Sequence, residues 1–165
     1  MKKHISLLII IALIFSCNTK KSEDKISDAD TTASTTPLNA DSIKTDNHYF
    51  WSAELDPKKG LVMVKTIPIN ADSLTASHII QMLNETYPDI PLQFNKISGD
   101  SIFVNIPNSN YLANQMGTSG AEAYLAEVTY NLTELNGINY VSFKFKEGNH
   151  AAPNVFTRTD FVSLK

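Results

Sequence analysis

Ser119-Gly120-Ala121-Glu122, a helical stripe of Ala121, Leu125, Val128, Leu132 and Leu135, a stop at Asn136-Gly137, then Ile138-Asn139-Tyr140-Val141-Ser142-Phe143-Lys144-Phe145-Lys146: this run decides the fold. Ser followed three residues later by Glu is a capping box, in which the Ser119 oxygen accepts from the Glu122 N–H and the Glu side chain reaches back to the Ser119 N–H. The stripe predicts an amphipathic helix, and Asn136-Gly137 predicts a left-handed cap at its end. The strand that follows alternates, with Val141, Phe143 and Phe145 on one face and Tyr140, Ser142, Lys144 and Lys146 on the other.

Working back toward the N-terminus, Leu92-Gln93-Phe94 through Ile97 and Ile102 through Ile106 read as a hairpin turned at Ser98-Gly99-Asp100. Before it, Ala76, Ile79, Ile80, Leu83 and Tyr87 fall at helical spacing, with capping residue types at Asn70-Ala71-Asp72-Ser73 and a stop at Pro88. Leu61 to Ile67, bounded by Gly60 and Pro68, reads as a buried strand. The predicted class is therefore α+β, a compact β-α-β-β-α-β unit with two helices packed on one face of a small mixed sheet. His48 to Leu55 and Val155 to Leu164 flank it, and their aromatics are expected to cover core edges or add short edge strands.

Part of this unit resembles a known family. Asn108-Ser109-Asn110-Tyr111, Gly117-Thr118-Ser119-Gly120-Ala121-Glu122, Leu132-Thr133-Glu134-Leu135-Asn136-Gly137-Ile138-Asn139-Tyr140-Val141 and the turn Glu147-Gly148 are together similar to the GerMN domain, over about residues 59–150. The resemblance implies a fold like that of ring-building modules, in which a compact α/β unit scaffolds envelope assemblies rather than catalysing a reaction. It also implies export and lipid anchoring, which family members commonly share. The founding sporulation and germination lipoproteins carry two such domains where this chain has one.

Composition agrees with an exported, tethered domain. The chain has 165 residues, 42% hydrophobic and 19% charged, with a formal charge of −3 and one cysteine. That length suits one domain plus extras, and the charge excludes a basic nucleic-acid footprint. One cysteine makes neither an intramolecular disulfide nor a zinc knuckle by itself. Residues 1–16 hold 11 of the hydrophobic residues behind Lys2 and Lys3, a run too short to span a bilayer and patterned as a secretory signal. It ends Ile14-Phe15-Ser16-Cys17, which resembles the lipobox of bacterial lipoproteins, with Phe15 bulkier than usual there. The resemblance implies a signal peptide over 1–16, removed before Cys17, and acylation of the Cys17 thiol. Palmitate-type chains on Cys17 would hold the protein to a membrane of the bacterial cell envelope.

Residues 17–46 are expected to be the lipidated cysteine and a disordered tether. From 18 to 46 only 6 of 29 residues are hydrophobic and none is aromatic, too little to offset chain entropy. Its root-mean-square reach as a flexible coil is about 30 Å. Residues 47–165 hold 52 hydrophobic residues and 14 aromatics, enough for one core.

His48, His78 and His150 show no metal-ligand spacing, and no nucleophile–base pair can be assembled, so neither a metal, a cofactor nor a catalytic residue is expected. Three residues stand as possible ligand or partner contacts. Ser119 lies in Gly117-Thr118-Ser119-Gly120, whose N–H groups could hold an anion were Ser119 not a cap. Arg158, the only arginine, suits carboxylate or phosphate, with a local pairing to Asp160 as the plainer outcome. Trp51, in Tyr49-Phe50-Trp51, is either a binding patch or a cover for the core. Asn84 and Asn131 begin chance glycosylation sequons. The leading expectation is a non-catalytic, lipid-anchored module that binds envelope proteins or itself. The alternative is an envelope protein that captures a cell-wall fragment or small anion near Ser119 or Arg158.

Overall fold

The computed structural model describes residues 47–161, all within one compact unit, Ser42–Lys165. Residues 1–46, which include the signal, Cys17 and the tether of the sequence reading, lie outside the described residues. The elements run β1 (His48–Asp56), β2 (Gly60–Ile69), α1 (Ala76–Thr86), β3 (Gln93–Ser98), β4 (Ser101–Asn105), α2 (Thr118–Leu132), β5 (Tyr140–Lys144) and β6 (Val155–Phe156). The class is α+β, with the predicted β-α-β-β-α-β order running from β2 to β5.

The strands divide differently from the expectation of one sheet. β3-β4-β5-β6 form a mixed four-stranded sheet, while β2 pairs with β1 in a separate antiparallel hairpin. β4 and β5 are parallel, joined by the crossover through α2, and the other neighbours are antiparallel. β2 runs through Pro68, which the sequence reading placed beyond its end. Pro68 is tolerated because Tyr49, opposite it, sends its N–H away from the pair to Glu134. A bulge leaves Thr66 without a pairing partner, and its hydroxyl donates to the Phe50 carbonyl.

The core forms between the helices and one face of the four-stranded sheet. Ile102, Val104, Val141 and Phe143 from the sheet join Ile79, Ile80 and Leu83 of α1, and Ala121, Leu125, Val128 and Leu132 of α2, in one buried cluster. α1 is capped by Thr75, whose hydroxyl accepts from the His78 N–H, two residues past the cluster Asn70–Ser73 expected to cap it. Asn70 caps a separate 3₁₀ turn, Ala71–Ser73. The start of α2 also differs from the capping box. The helix begins at Thr118 with Gly117 (φ 77°) as its cap residue, and Ser119 sits exposed within the first turn without a capping bond. With Gly117 at the cap, Ser119 is the second helical residue, and its hydroxyl makes no bond to the Glu122 N–H.

At the other end the left-handed Gly137 (φ 78°) is where the sequence placed it, after a loosened turn through Thr133 and Glu134. A Cβ at Gly137 meets open space, so Gly137→Ala is expected to cost about 1 kcal/mol through backbone strain alone. At Gly148 a Cβ would lie 2.7 Å from the Ala113 carbonyl oxygen, a backbone atom. Gly148→Ala should therefore lower the urea midpoint more than Gly137→Ala; equal midpoints would contradict this packing.

Candidate functional site

α2 is buried along most of its length, polar positions included. Glu127, Thr129 and Asn131 are each 2% exposed or less. Glu127, Asn131 and Glu134, at i, i+4 and i+7, form a second stripe beside the apolar one, and this stripe carries the β1 edge. The Ala53 N–H donates to Glu127 Oε2 (3.2 Å), the Trp51 N–H to Asn131 Oδ1 (2.8 Å) and the Tyr49 N–H to Glu134 Oε2 (3.1 Å). Asn131 Nδ2 returns a bond to the Trp51 carbonyl (2.8 Å). The spacings are comparable: three to four helical residues rise about 4.5–6 Å and two strand residues about 6.6 Å. These strand groups lie on the edge that β2 does not pair, so the helix satisfies what would otherwise be orphaned donors.

Asn84 applies the same device elsewhere. It accepts from the Leu92 N–H (2.7 Å) and donates to the Leu92 carbonyl (3.0 Å), fixing the entry to β3. Both sequon asparagines thus have their amides committed to the backbone.

Trp51 and Arg158 come together at Glu134. Glu134 Oε1 accepts from Trp51 Nε1 (2.8 Å) and from Arg158 Nη2 (2.6 Å), and His48 Nδ1 lies 3.4 Å from Oε2. Arg158 Nε donates to Thr133 Oγ1 (2.7 Å) and Nη2 also to the Tyr130 carbonyl (2.8 Å). The guanidinium carbon sits 5.3 Å from the Trp51 ring centre and 5.2 Å from that of Tyr130, and the two rings meet edge to face. The expected Arg158–Asp160 pairing is therefore replaced by one with Glu134. Asp160 instead accepts from the Thr157 N–H (2.6 Å) and hydroxyl (2.9 Å), closing its own turn. Ser119 is not part of this cluster. It lies at the opposite end of α2, about 20 Å along the axis from Leu132.

The two carboxylates of the stripe are tuned in opposite directions. Burial pushes Glu134 up, but the bonds from Trp51, Arg158 and the Tyr49 N–H outweigh it and hold the carboxyl below the usual range. Burial pushes Glu127 up, and the bonds from Tyr87 and Ala53 only partly offset it. The Tyr87 hydroxyl donates to Glu127 at 2.8 Å, and burial together with the adjacent carboxylate keeps that hydroxyl protonated well above the ordinary range.

Beyond the Arg158 cluster opens a cleft of about 390 Å³ between Thr133, the approach to β5 and residues 157–159. His78 and His150 each make a local bond, His78 Nδ1 with the Ser73 carbonyl and His150 Nδ1 with the Thr118 hydroxyl. Among the described residues, no group of three or more His, Cys, Asp or Glu is placed to hold a metal ion, and no helix is long and apolar enough to cross a membrane. Comparison with protein-family models, curated proteins and solved structures finds no match to this chain.

Asn131→Ala would strip partners from both the N–H and the carbonyl of Trp51. A loss of about 3 kcal/mol is expected, read by urea denaturation. Stability should also depend on pH in two opposed ways. Glu127, raised in the fold, favours the folded state once protonated, so loss of its charge on descent from neutral pH raises the melting temperature. Glu134, depressed in the fold, loses its contribution as pH falls below the ordinary Glu value near about 4.3 and through its folded value. Melting curves from about pH 7 to about pH 3 should show the acid-side gain missing in Glu127→Gln and the steeper acid loss missing in Glu134→Gln.

Proposed function

We propose that this chain is a lipid-anchored protein of the bacterial cell envelope whose α+β domain is a non-catalytic interaction or assembly module. Cys17 carries the acyl chains, residues 17–46 serve as the tether, and the domain engages other envelope proteins or a second copy of itself. The GerMN-like residues and the lipobox-like end of the signal favour this reading in the sequence.

The observation that carries it is β3. All six of its residues are exposed, its outer edge has no strand beside it among the described residues, and it presents Phe94 and Ile97 at 47% and 48% exposure. Such an edge is a template for association unless it is blunted. β3 is partly blunted: a bulge falls between Phe94 and Lys96, and Lys96 lies on the strand with its ammonium 4.9 Å from the Phe103 ring centre. Indiscriminate ladder pairing is thereby discouraged, and recognition falls to the side chains of Phe94 and Ile97.

Two arms of one experiment test this in intact cells. Labelled palmitate should enter the wild-type chain and not Cys17→Ala; label persisting in that variant would defeat the anchoring. Crosslinking followed by mass spectrometry should give reproducible envelope or self-linked products, and Phe94→Ser combined with Ile97→Ser should remove them at an unchanged melting temperature. The same products at the same yield in the double variant would rule out β3 as the contact.

A further inference from the structure

The cleft beside Arg158 is a separate feature from β3, and its chemistry is specific. The internal bonds of Arg158 use Nε and Nη2 alone, while Nη1, with its two N–H groups, has no partner among the described residues. The guanidinium is held by Thr133, Tyr130 and Glu134 and flanked by two aromatic rings, so presenting Nη1 costs little further side-chain entropy. Arg158 lines the cleft together with Thr157, Thr159, Asn139 and Tyr140. The Asn139 amide and the Tyr140 hydroxyl are likewise without a side-chain hydrogen-bond partner among the described residues, and both residues are exposed.

Among the described residues, no acidic residue and no second cation line the cleft. A single guanidinium whose charge is already shared with Glu134 suits a monoanion rather than a phosphate dianion, which would call for more positive charge. The neutral hydroxyl and amide groups suit a ligand body that itself bears hydroxyls or amides, while Ile138 and the Tyr140 ring offer an apolar wall. The volume is at the small end of ligand sites.

The geometry points to a binding site for a small carboxylate on a hydroxyl- or amide-bearing body, held by Arg158 Nη1 at one carboxylate oxygen. A sugar acid and a short peptide with a free C-terminus share this chemistry.

Trp51 is the only tryptophan and touches the same guanidinium, so its emission reports on the site. The full chain in detergent would be titrated with N-acetylmuramic acid, D-alanyl-D-alanine, N-acetylglucosamine and inorganic phosphate, with calorimetry alongside to register binding that leaves emission unchanged. A saturable response to either carboxylate is expected, at least about tenfold tighter than to N-acetylglucosamine or phosphate. The tighter of the two carboxylates identifies the source. Arg158→Lys should weaken binding, but it also disturbs the contact with Glu134. Asn139→Ala with Tyr140→Ala leaves that contact intact and should weaken binding by about tenfold at an unchanged melting temperature. No saturable response to either carboxylate, phosphate binding as tightly, or undiminished affinity in the double variant would each overturn the assignment.

Discussion

A strand edge laid on a polar helix stripe is the constraint on which the rest of this structure depends. β1 and β2 form a two-stranded hairpin, an arrangement only marginally stable in water by itself. Burial of Phe50 and packing of Trp51, Leu61, Met63 and Ile69 hold it on the core, and the row Glu127, Asn131 and Glu134, which accepts the Ala53, Trp51 and Tyr49 N–H groups in order, fixes how it sits there. The bonds are directional and the spacing is set by two backbone periods. A slip of one residue would turn these donors away from the helix and toward β2, so the stripe fixes register as well as position.

Glu134 extends that constraint to the C-terminal segment. Its two oxygens gather Tyr49 and Trp51 from β1 and Arg158 from the last described turn, so three separate stretches of chain meet at one carboxylate. Removing one partner of a half-buried set like this leaves the others unpaired, which costs more than the net worth of any single bond. The same cluster shapes the neighbouring cleft, because holding Nε and Nη2 inward leaves Nη1 as the available end of the guanidinium.

Much of the fold was legible in the sequence, for identifiable reasons. Alternation in Ile102-Phe103-Val104 and in Val141-Ser142-Phe143, the Gly99-Asp100 turn and the Gly137 stop are local signals, and the structure carries each of them. The hairpin's separation from the main sheet is not local: nothing in Leu61–Ile67 says which strand it pairs with. The polar stripe was hidden by a reasonable default, since Glu and Asn on a helix normally face solvent. Its one visible sign was the i, i+4, i+7 spacing of Glu127, Asn131 and Glu134, which runs from α2 into the turn after it. Ser119 misled because a capping-box pattern competes with a nearby glycine, and Gly117 took the cap. Trp51 and Arg158 stand out by residue type, and their meeting depends on tertiary contacts that sequence spacing does not encode.

The central claim is that the α2 stripe holds the β1 edge, and amide hydrogen exchange on the native protein reads it directly. The Tyr49, Trp51 and Ala53 amides should be protected together, and should exchange with a common opening free energy as the hairpin leaves the helix. Exchange of these three amides at the rate of exposed loop amides such as Glu147 and Ala152, with the β4 and β5 amides still protected, would contradict it.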